Sequence, residues 1–504
     1  MQSSIEALRG VLLAAAGMMM AVTPIAASAK PAVPAIAPVA GKPNLVMGSF
    51  PLAPIGYQTE EFFLDGTATS YRVPGGLGGD GAWNATAAET APFKTRVVVI
   101  RPSDPAKFNG TVLVEWFNVT GGQDTPADWM VAHREILRRG YAYVGVSAQV
   151  VGVEGGQAAM QQSSGRPLKR SNPERYGSLV HPGDAYSFDI YAQAGAALKA
   201  PGASGLLGPL APKRVLAMGE SQSAAFLTTY INAVDRLAPA YDGFFVHSRF
   251  GSSASLDGTR GANTPSSPPA HVRFRTDLRV PVLTLITETD LIGGRLTGYH
   301  ASRQPDNRKL RVWEVAGTAH ADNYMFQGAF IDDGQRSAAE LARVFQPSKM
   351  GPFGKLDQSI NPGMPHHYVT QAAIAALDGW VKSGRAPAST QPLVLASGGK
   401  EGTEASFALD GNGNARGGLR TPWTDVPTMR LSGKGDPNNF IAMLAGSSEL
   451  LSKAELDKLY PGGKAEYLRR FTAALDAAIR AGHLLREDRQ EIIDVAAINY
   501  DAAK

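Results

Sequence analysis

The segment GESQS, residues 219–223, contains a serine whose surroundings could make it a nucleophile. The apolar run RVLAM before it predicts a buried strand, and the residues after it predict a helix. Ser221 would then occupy a tight strand-to-helix turn, which raises its side chain above the sheet edge and close to helix N–H groups. A serine hydroxyl attacks poorly unless a base removes its proton in the transition state, so this segment needs a histidine and a carboxylate.

Two later segments supply these partners. His320 follows the apolar run RVWEVAG, and of the nine histidines it is the one just past the last strand of an alternating series. Asp290 follows the run VPVLTLI, and Glu288 lies two residues earlier on the same loop. The position of Asp290 favours it as the acid, with Glu288 as the alternative. The sequence therefore predicts a triad of Ser221, His320 and Asp290.

Acyl transfer also requires two N–H donors that face the developing oxyanion, each worth about 2.7 to 4 kcal/mol. The first predicted donor is the backbone N–H of Gln222, which follows the nucleophile. The second is expected from the glycine-containing loop at residues 117–122, where Asn118 is the predicted donor.

Substrate contacts are expected from two long loops, residues 151–183 and residues 250–271, because long loops in a compact domain are usually functional or disordered. Four large side chains near the predicted oxyanion loop either form an apolar wall for the substrate or belong to the core. These are Trp116, Phe117, Trp129 and Met130.

The remaining histidines indicate no second site. His133 is interpreted as a surface or packing residue, and His247 as structural or pocket-lining. The adjacent pair His366 and His367 is expected to precede a helix, and no other pair has metal-ligand spacing, so neither a metal nor a cofactor is predicted. The formal G-x-G-x-x-G within residues 75–81 is followed by a loop-like segment, which argues against a dinucleotide site.

The elements that must position these residues follow a regular pattern. From residue 111 to residue 317, short and continuously apolar runs alternate with helical segments. Such runs are typical of strands buried on both faces of a mostly parallel sheet. The sequence therefore predicts a doubly wound α/β fold with long loop insertions, and its site is expected at the carboxyl ends of the strands.

The composition changes along the chain and predicts four segments. Residues 1–29 combine one arginine, a short apolar run and an Ala-Ser-Ala ending, which predicts a cleaved signal peptide and an exported protein, periplasmic or secreted. Residues 30–95 begin with a Pro-rich leader, residues 30–44, which is expected to be flexible. N-terminal strands separated by a loop follow it. Residues 96–385 form the predicted α/β core, and residues 386–504 an extension whose helices pack on that core.

Charge and cysteine content exclude several classes of function. The chain of 504 residues has 49 basic and 45 acidic side chains, a net charge of +4, and no block of basic residues. Neither a nucleic-acid partner nor, after signal removal, a membrane span is predicted. Cysteine is absent, which excludes disulfides and thiolate chemistry. The oligomeric state is not indicated.

These motifs resemble the α/β-hydrolase superfamily, and in particular an exported bacterial family known as "alpha/beta hydrolase domain-containing". The similar segments extend over nearly all of residues 40–500 and include VEWFNVTGG, GESQSA, TETD and GTAHAD. The resemblance implies a serine hydrolase that acts on carboxylic esters through Ser221, Asp290 and His320. One departure is Ser223, which stands where glycine is commoner in this turn.

The predicted function is cleavage of a small-molecule carboxylic ester through an acyl-enzyme. The same three residues would also serve an amidase, a peptidase or a lactonase, which the sequence does not distinguish. A non-catalytic binding protein on a hydrolase fold is a further alternative.

Overall fold

A computed structural model describes residues 30–158, 160, 165–200, 205–259, 266–397 and 405–503. The predicted signal peptide, residues 1–29, lies outside these described residues. The central element is a nine-stranded sheet with the strand order β1-β2-β3-β5-β4-β6-β7-β8-β9. Its strands are β1 (Ala35–Val39), β2 (Tyr57–Arg72), β3 (Thr86–Pro102), β4 (Thr111–Trp116), β5 (Ala142–Val146), β6 (Arg214–Glu220), β7 (Gly243–His247), β8 (Val282–Ile286) and β9 (Leu310–Glu314).

The strands from β5 across to β9 are parallel to one another, whereas β1, β2 and β3 add to the sheet in antiparallel fashion. This arrangement confirms the predicted mostly parallel α/β sheet. Because β2 and β3 form an antiparallel pair, the glycine-rich segment between them is not part of a βαβ unit.

Helices cover both faces of the sheet. The described α-helices are α1 (Ala127–Arg138), α2 (Val150–Val153), α3 (Leu168–Ser171), α4 (Pro173–Tyr176), α5 (Ser187–Lys199), α6 (Gln222–Thr229), α7 (Glu288–Ile292), α8 (Ala329–Ile331), α9 (Ala338–Val344), α10 (Met364–Ser383), α11 (Pro422–Asp425), α12 (Phe440–Ala445), α13 (Lys453–Leu459), α14 (Gly463–Arg480) and α15 (Arg489–Ala502). Short π-helical segments follow α6 at Tyr230–Val234 and precede α8 at Tyr324–Gly328.

The two faces of the sheet bury alternate residues of each strand. Leu216 of β6 and Phe245 of β7 belong to one hydrophobic cluster, together with residues of α1 and α10. Val215 and Phe244, their neighbours in sequence, belong to a second cluster on the opposite face, with residues of α5 and α6. This two-sided burial explains why the strands are continuously apolar.

The N-terminal region differs from two expectations. The Pro-rich leader was predicted to be flexible, but Ala35–Val39 forms the edge strand β1, where Pro38 is tolerated because an edge strand needs fewer N–H donors. The segment from Thr86 was predicted to be a loop, but it is the exposed first part of β3. Its exposed side chains do not need the apolar alternation that signals a half-buried strand.

Three short two-stranded units follow residue 345 in the described part of the chain, the first within the predicted core segment and the other two in the C-terminal extension. These are β10 (Ser348–Gly351) with β11 (Gly354–Ile360), β12 (Leu395–Ser397) with β13 (Ser406–Phe407), and β14 (Met429–Ser432) with β15 (Ser447–Leu450). Phe471 of α14 and Tyr500 of α15 are fully buried in the same cluster as Trp129 of α1. The terminal helices therefore share one continuous core with the α/β sheet.

Candidate active site

Ser221 lies between the end of β6 and the start of α6, in a strained backbone conformation. Its φ is 59° and its ψ is −117°, and among the described non-glycine residues only Ser248 also has a positive φ. Such a conformation costs about 1 to 3 kcal/mol and is retained where the surroundings enforce it. A Cβ atom at Gly219 would lie 3.3 Å from Ser223, so the strand and the helix approach closely at this turn.

The structure brings Ser221, His320 and Asp290 into one hydrogen-bonded chain. The Oγ atom of Ser221 is 2.8 Å from Nε2 of His320, and Nδ1 of His320 is 2.6 Å from Oδ1 of Asp290. The other carboxylate oxygen of Asp290 accepts the N–H of Thr287 at 2.7 Å, which fixes the acid at the start of α7. In this geometry an imidazole can accept the serine proton while the carboxylate orients the ring.

Glu288, the alternative acid, has different partners. Its carboxylate accepts the backbone N–H of Gly317 at 2.6 Å and that of Gly433 at 2.8 Å. Burial raises the pKa of Glu288 to about 7, against the effect of these two backbone donors. Glu288 therefore links the C-terminal extension to the loops of the site, and Asp290 is the acid that contacts His320.

The two predicted oxyanion donors differ in availability. The backbone N–H of Gln222 lies at the first position of α6, where helix N–H groups have no intrahelical acceptor. Asn118, in contrast, donates its backbone N–H to Thr125 O at 3.0 Å and its side-chain N–H to Glu220 O at 3.2 Å. The prediction of Asn118 as a donor is thus corrected, because its N–H groups already stabilise the loop. Val119 follows, and its N–H has a long 3.4 Å contact with Oε1 of Gln222.

Glu220 is a residue of the site to which the sequence analysis gave no role. Its Oε1 atom is 3.5 Å from Nε2 of His320, and its Oε2 atom is 3.4 Å from the side-chain nitrogen of Asn118. Burial raises the pKa of Glu220 well above its ordinary value, and the carboxylates of Asp128, Asp290 and Glu115 raise it further. These effects favour the protonated form of the Glu220 carboxyl beside His320.

Both predicted substrate loops have residues near this site. The ring of Phe250 packs against that of His320 with a centroid distance of 4.9 Å. In the other loop, the N–H of Met160 donates to Thr120 O at 3.0 Å, which joins residues 151–183 to the segment after Asn118.

The four large side chains whose role was left open belong to the core. Trp116 and Phe117 are fully buried, Trp129 is 1% exposed and Met130 is 8% exposed. Trp116 packs against the rings of Phe188, Tyr191 and Phe226. The interpretation as an apolar wall for the substrate is therefore wrong for Trp116.

A second histidine cluster lies near the site and was missed by sequence reasoning. His247 contacts Asp128 and His366, and His366 contacts Asp322. His366 and His367 were expected to precede a helix, but both lie in the first turn of α10. The proximity of Asp322 to His320 in the motif TAHAD was the only local signal of this cluster.

No group of three or more metal-ligating side chains within the described part of the chain could hold a metal ion. In the same residues, no helix is both long enough and apolar enough to cross a bilayer.

The doubly wound sheet, the strained serine turn and the acid and histidine at later strand ends define an α/β hydrolase. The sequence matches the family described as "Alpha/beta hydrolase domain" over residues 21–494. The chain therefore belongs to this family, which confirms the resemblance noted from its motifs. Among curated proteins, none matches the sequence.

Solved structures of a hydrolase and an esterase are similar to parts of the chain. A putative dienelactone hydrolase from Klebsiella pneumoniae is 13% identical with a TM-score of 0.26, over 54% of this chain and 92% of its own. A glucuronoyl esterase from Solibacter usitatus is 12% identical with a TM-score of 0.25, over 51% of this chain and 74% of its own. Likenesses of this degree support no statement about substrate.

Proposed function

We propose that the protein hydrolyses carboxylic esters of small molecules through an acyl-enzyme on Ser221. The observation that carries this proposal is the hydrogen-bonded chain from Ser221 through His320 to Asp290, with its distances of 2.8 and 2.6 Å. The strained turn at Ser221 supports it further, because backbone strain of this kind is concentrated at functional positions.

The proposed reaction has two steps. His320 accepts the proton of Ser221 as its Oγ atom attacks the acyl carbon, and the imidazolium then protonates the departing alcohol. Water, deprotonated by the same ring, cleaves the acyl-enzyme and releases the acid. Asp290 keeps the ring oriented and stabilises its charged form.

The oxyanion of each tetrahedral intermediate is proposed to bind the backbone N–H groups of Gln222 and Val119. Gln222 follows Ser221 in the chain, and the N–H of Val119 has a weak 3.4 Å contact with the Gln222 side chain that a substrate oxygen can replace. The reaction as proposed uses no cofactor.

Substitution of Ser221 tests the proposal, with Ser223 as a matched control in the same motif. Ser221→Ala is expected to lower kcat on a short acyl ester such as para-nitrophenyl acetate by at least about 10⁴-fold. Ser223→Ala changes a buried hydroxyl that has no hydrogen-bond partner among the described residues, so its kcat should stay within about threefold of the parent.

Equal activity of the Ser221→Ala variant and the parent would contradict the proposal. Parallel assays with the matched amide and lactone decide between the ester and the other acyl groups that the same residues could cleave. Faster turnover of the amide or the lactone would contradict the preference for simple esters while retaining the nucleophile.

We also propose that the protein is exported, which rests on the composition of residues 1–29. Expression of the full chain in a bacterial host, followed by N-terminal sequencing of the product, should find Lys30 as the first residue outside the cytoplasm. An intact Met1 on a cytoplasmic product would contradict this proposal.

A further inference from the structure

Four buried side chains next to the proposed triad form a second hydrogen-bonded chain, here called the relay: Asp128, His247, His366 and Asp322. Oδ1 of Asp128 is 2.8 Å from Nδ1 of His247, and the two Nε2 atoms of His247 and His366 are 2.7 Å apart. Nδ1 of His366 is 2.7 Å from Oδ2 of Asp322. The relay joins α1, β7, α10 and the loop after β9, and its side chains are at most 2% exposed.

The contact between the two imidazoles fixes the number of protons in the relay. A hydrogen bond between two ring nitrogens requires one proton between them, because two N–H groups or two lone pairs that face each other repel. Each link to an aspartate likewise requires one proton. The four groups therefore share three protons and a net charge of −1.

The surroundings of the two aspartates determine where this charge lies. Asp322 accepts two donors, the ring of His366 and the backbone N–H of Met325 at 2.9 Å. Oδ2 of Asp128 is buried and has no donor among the described residues. Burying a charged carboxylate oxygen without a hydrogen-bond donor costs much free energy. Burying the carbonyl oxygen of a neutral carboxylic acid in the same way costs less. Asp322 is therefore the ionised end and Asp128 the protonated end.

Burial favours the same distribution. It raises the pKa of Asp128 well above its ordinary value, and it lowers the pKa of His247 well below its own. Glu115 accepts the backbone N–H of Asp128 at 2.9 Å, and burial and the neighbouring Asp128 carboxyl raise the pKa of Glu115 as well, so ionisation of both carboxyl groups together is disfavoured. From the other side His320, Asp290 and Glu220 face this region.

The relay is attached to the backbone on both sides of the proposed triad. The carbonyl of His247 accepts the N–H of Ser221 at 2.9 Å, so it holds the nucleophile's backbone. Asp322 lies two residues after His320 on the same loop. It is confined on its other side by Gly363, because a Cβ atom there would collide with the Asp322 carboxylate.

We propose that the relay positions Ser221 and His320 relative to each other, with His366 and Asp322 acting as positioning residues for ester hydrolysis. This inference rests on the proposed function. Its physical basis is that the hydrogen bonds of the relay connect the loop that contains His320 to strand β7, whose His247 carbonyl accepts the N–H of Ser221. Loosening them would lengthen the 2.8 Å contact between Ser221 and His320, and misplacement by about 1 Å can cost about 100-fold in rate.

The first test compares the same substitution at two adjacent positions. His367 is as buried as His366 and lies on the same helix, but its ring contacts Val131 O and Gln371 rather than the relay. His366→Gln is expected to lower kcat about 10- to 100-fold, with KM within about threefold of the parent. His367→Gln should keep kcat within about threefold, even if both variants lose similar thermal stability.

The second test uses the predicted polarity of the relay. An amide can replace a protonated acid by donating from its nitrogen. At Asp322, however, the Met325 N–H and the His366 ring reach different carboxylate oxygens, so in an amide one of these donors would face the amide nitrogen. Asp322→Asn should therefore lower kcat several times more than Asp128→Asn. In the parent, NMR with isotope-labelled histidine should detect coupling between two imidazole nitrogens across one shared proton. Because this measurement uses the parent, it does not depend on whether the variants fold.

The outcomes separate this inference from the proposed function. Ester turnover by the parent with equal kcat in His366→Gln and His367→Gln would overturn the relay's role and leave the triad intact. A larger loss for Asp128→Asn than for Asp322→Asn, or no coupling between imidazole nitrogens, would also overturn the relay as described. A parent without ester turnover would overturn the proposed function and this inference with it.

Discussion

Two histidine–aspartate pairs lie side by side in this protein, and they differ in what the free ring nitrogen contacts. The pair of His320 with Asp290 has a 2.6 Å contact, and the pair of His366 with Asp322 has a 2.7 Å contact. Nε2 of His320 contacts the hydroxyl of Ser221, whereas Nε2 of His366 contacts the ring of His247. A histidine that is hydrogen-bonded to an aspartate is thus a candidate general base only where its second nitrogen contacts a nucleophile that must lose a proton, such as a serine hydroxyl.

The two pairs also differ in their access to solvent. Ser221 is half-buried at the end of β6, so a substrate can reach the first pair. The second pair is enclosed by α1, α10 and the loop after β9, and its ring nitrogens contact only protein groups. We therefore propose a role in chemistry for the pair at the sheet edge and a positioning role for the pair in the interior.

Replacing the aspartate of each pair by asparagine should affect turnover very differently. Asp290→Asn should lower kcat about 10⁴-fold, because the amide favours the wrong tautomer of His320. Asp322→Asn should lower kcat only about 10- to 100-fold, because Asp322 is proposed to position His320 without contacting the reacting atoms. Steady-state kinetics of both variants on one ester measures the ratio, and equal losses would remove the distinction between the pairs.

Glu288→Gln is the matched control for Asp290→Asn, because Glu288 lies in the same helix, α7, but contacts Gly317 and Gly433 instead of His320. Its kcat should remain within about threefold of the parent when both are folded. A loss comparable to that of Asp290→Asn would identify Glu288 as the functional acid.

The smallest effect concerns pH and stability. Burial raises the pKa of Glu288 to about 7 from an ordinary 4.5. The folded protein therefore retains a proton that the unfolded chain releases, and this contribution is complete below pH 4.5 and lost as the pH rises through about 7. It amounts to at most about 3 kcal/mol. Because Glu288→Gln cannot titrate, its Tm should change less across this pH range than that of the parent, and parallel Tm curves would contradict the assigned pKa.

Most of the sheet could be predicted from the sequence, because buried parallel strands need continuous apolar runs and the turns between them need breakers. In the C-terminal extension, the capping box at Ser452 and the buried stripe of α14 that includes Tyr467 and Phe471 also follow local sequence patterns. Strand β1 was missed because its proline, Pro38, and its exposed side chains give no strand pattern, and its pairing with β2 is a tertiary contact.

The positions of Ser221, Asp290 and His320 could be predicted because each follows a buried strand, and parallel strands end at one edge of a sheet. The choice of Asn118 failed because the use of its N–H groups depends on a bridge to Thr125, which no sequence pattern specifies. The relay could not be predicted at all. Its contacts join residues 119 positions apart, and buried histidines have no local signature.

The central claim is that Ser221 is a nucleophile activated by His320, and covalent labelling tests it most directly. The folded parent is incubated with a fluorophosphonate, digested, and its peptides are analysed by mass spectrometry. We expect one adduct, on Ser221, that is absent from the Ser221→Ala protein and strongly reduced in the His320→Gln protein. A parent that remains unlabelled, or that carries the adduct on another residue, would contradict it.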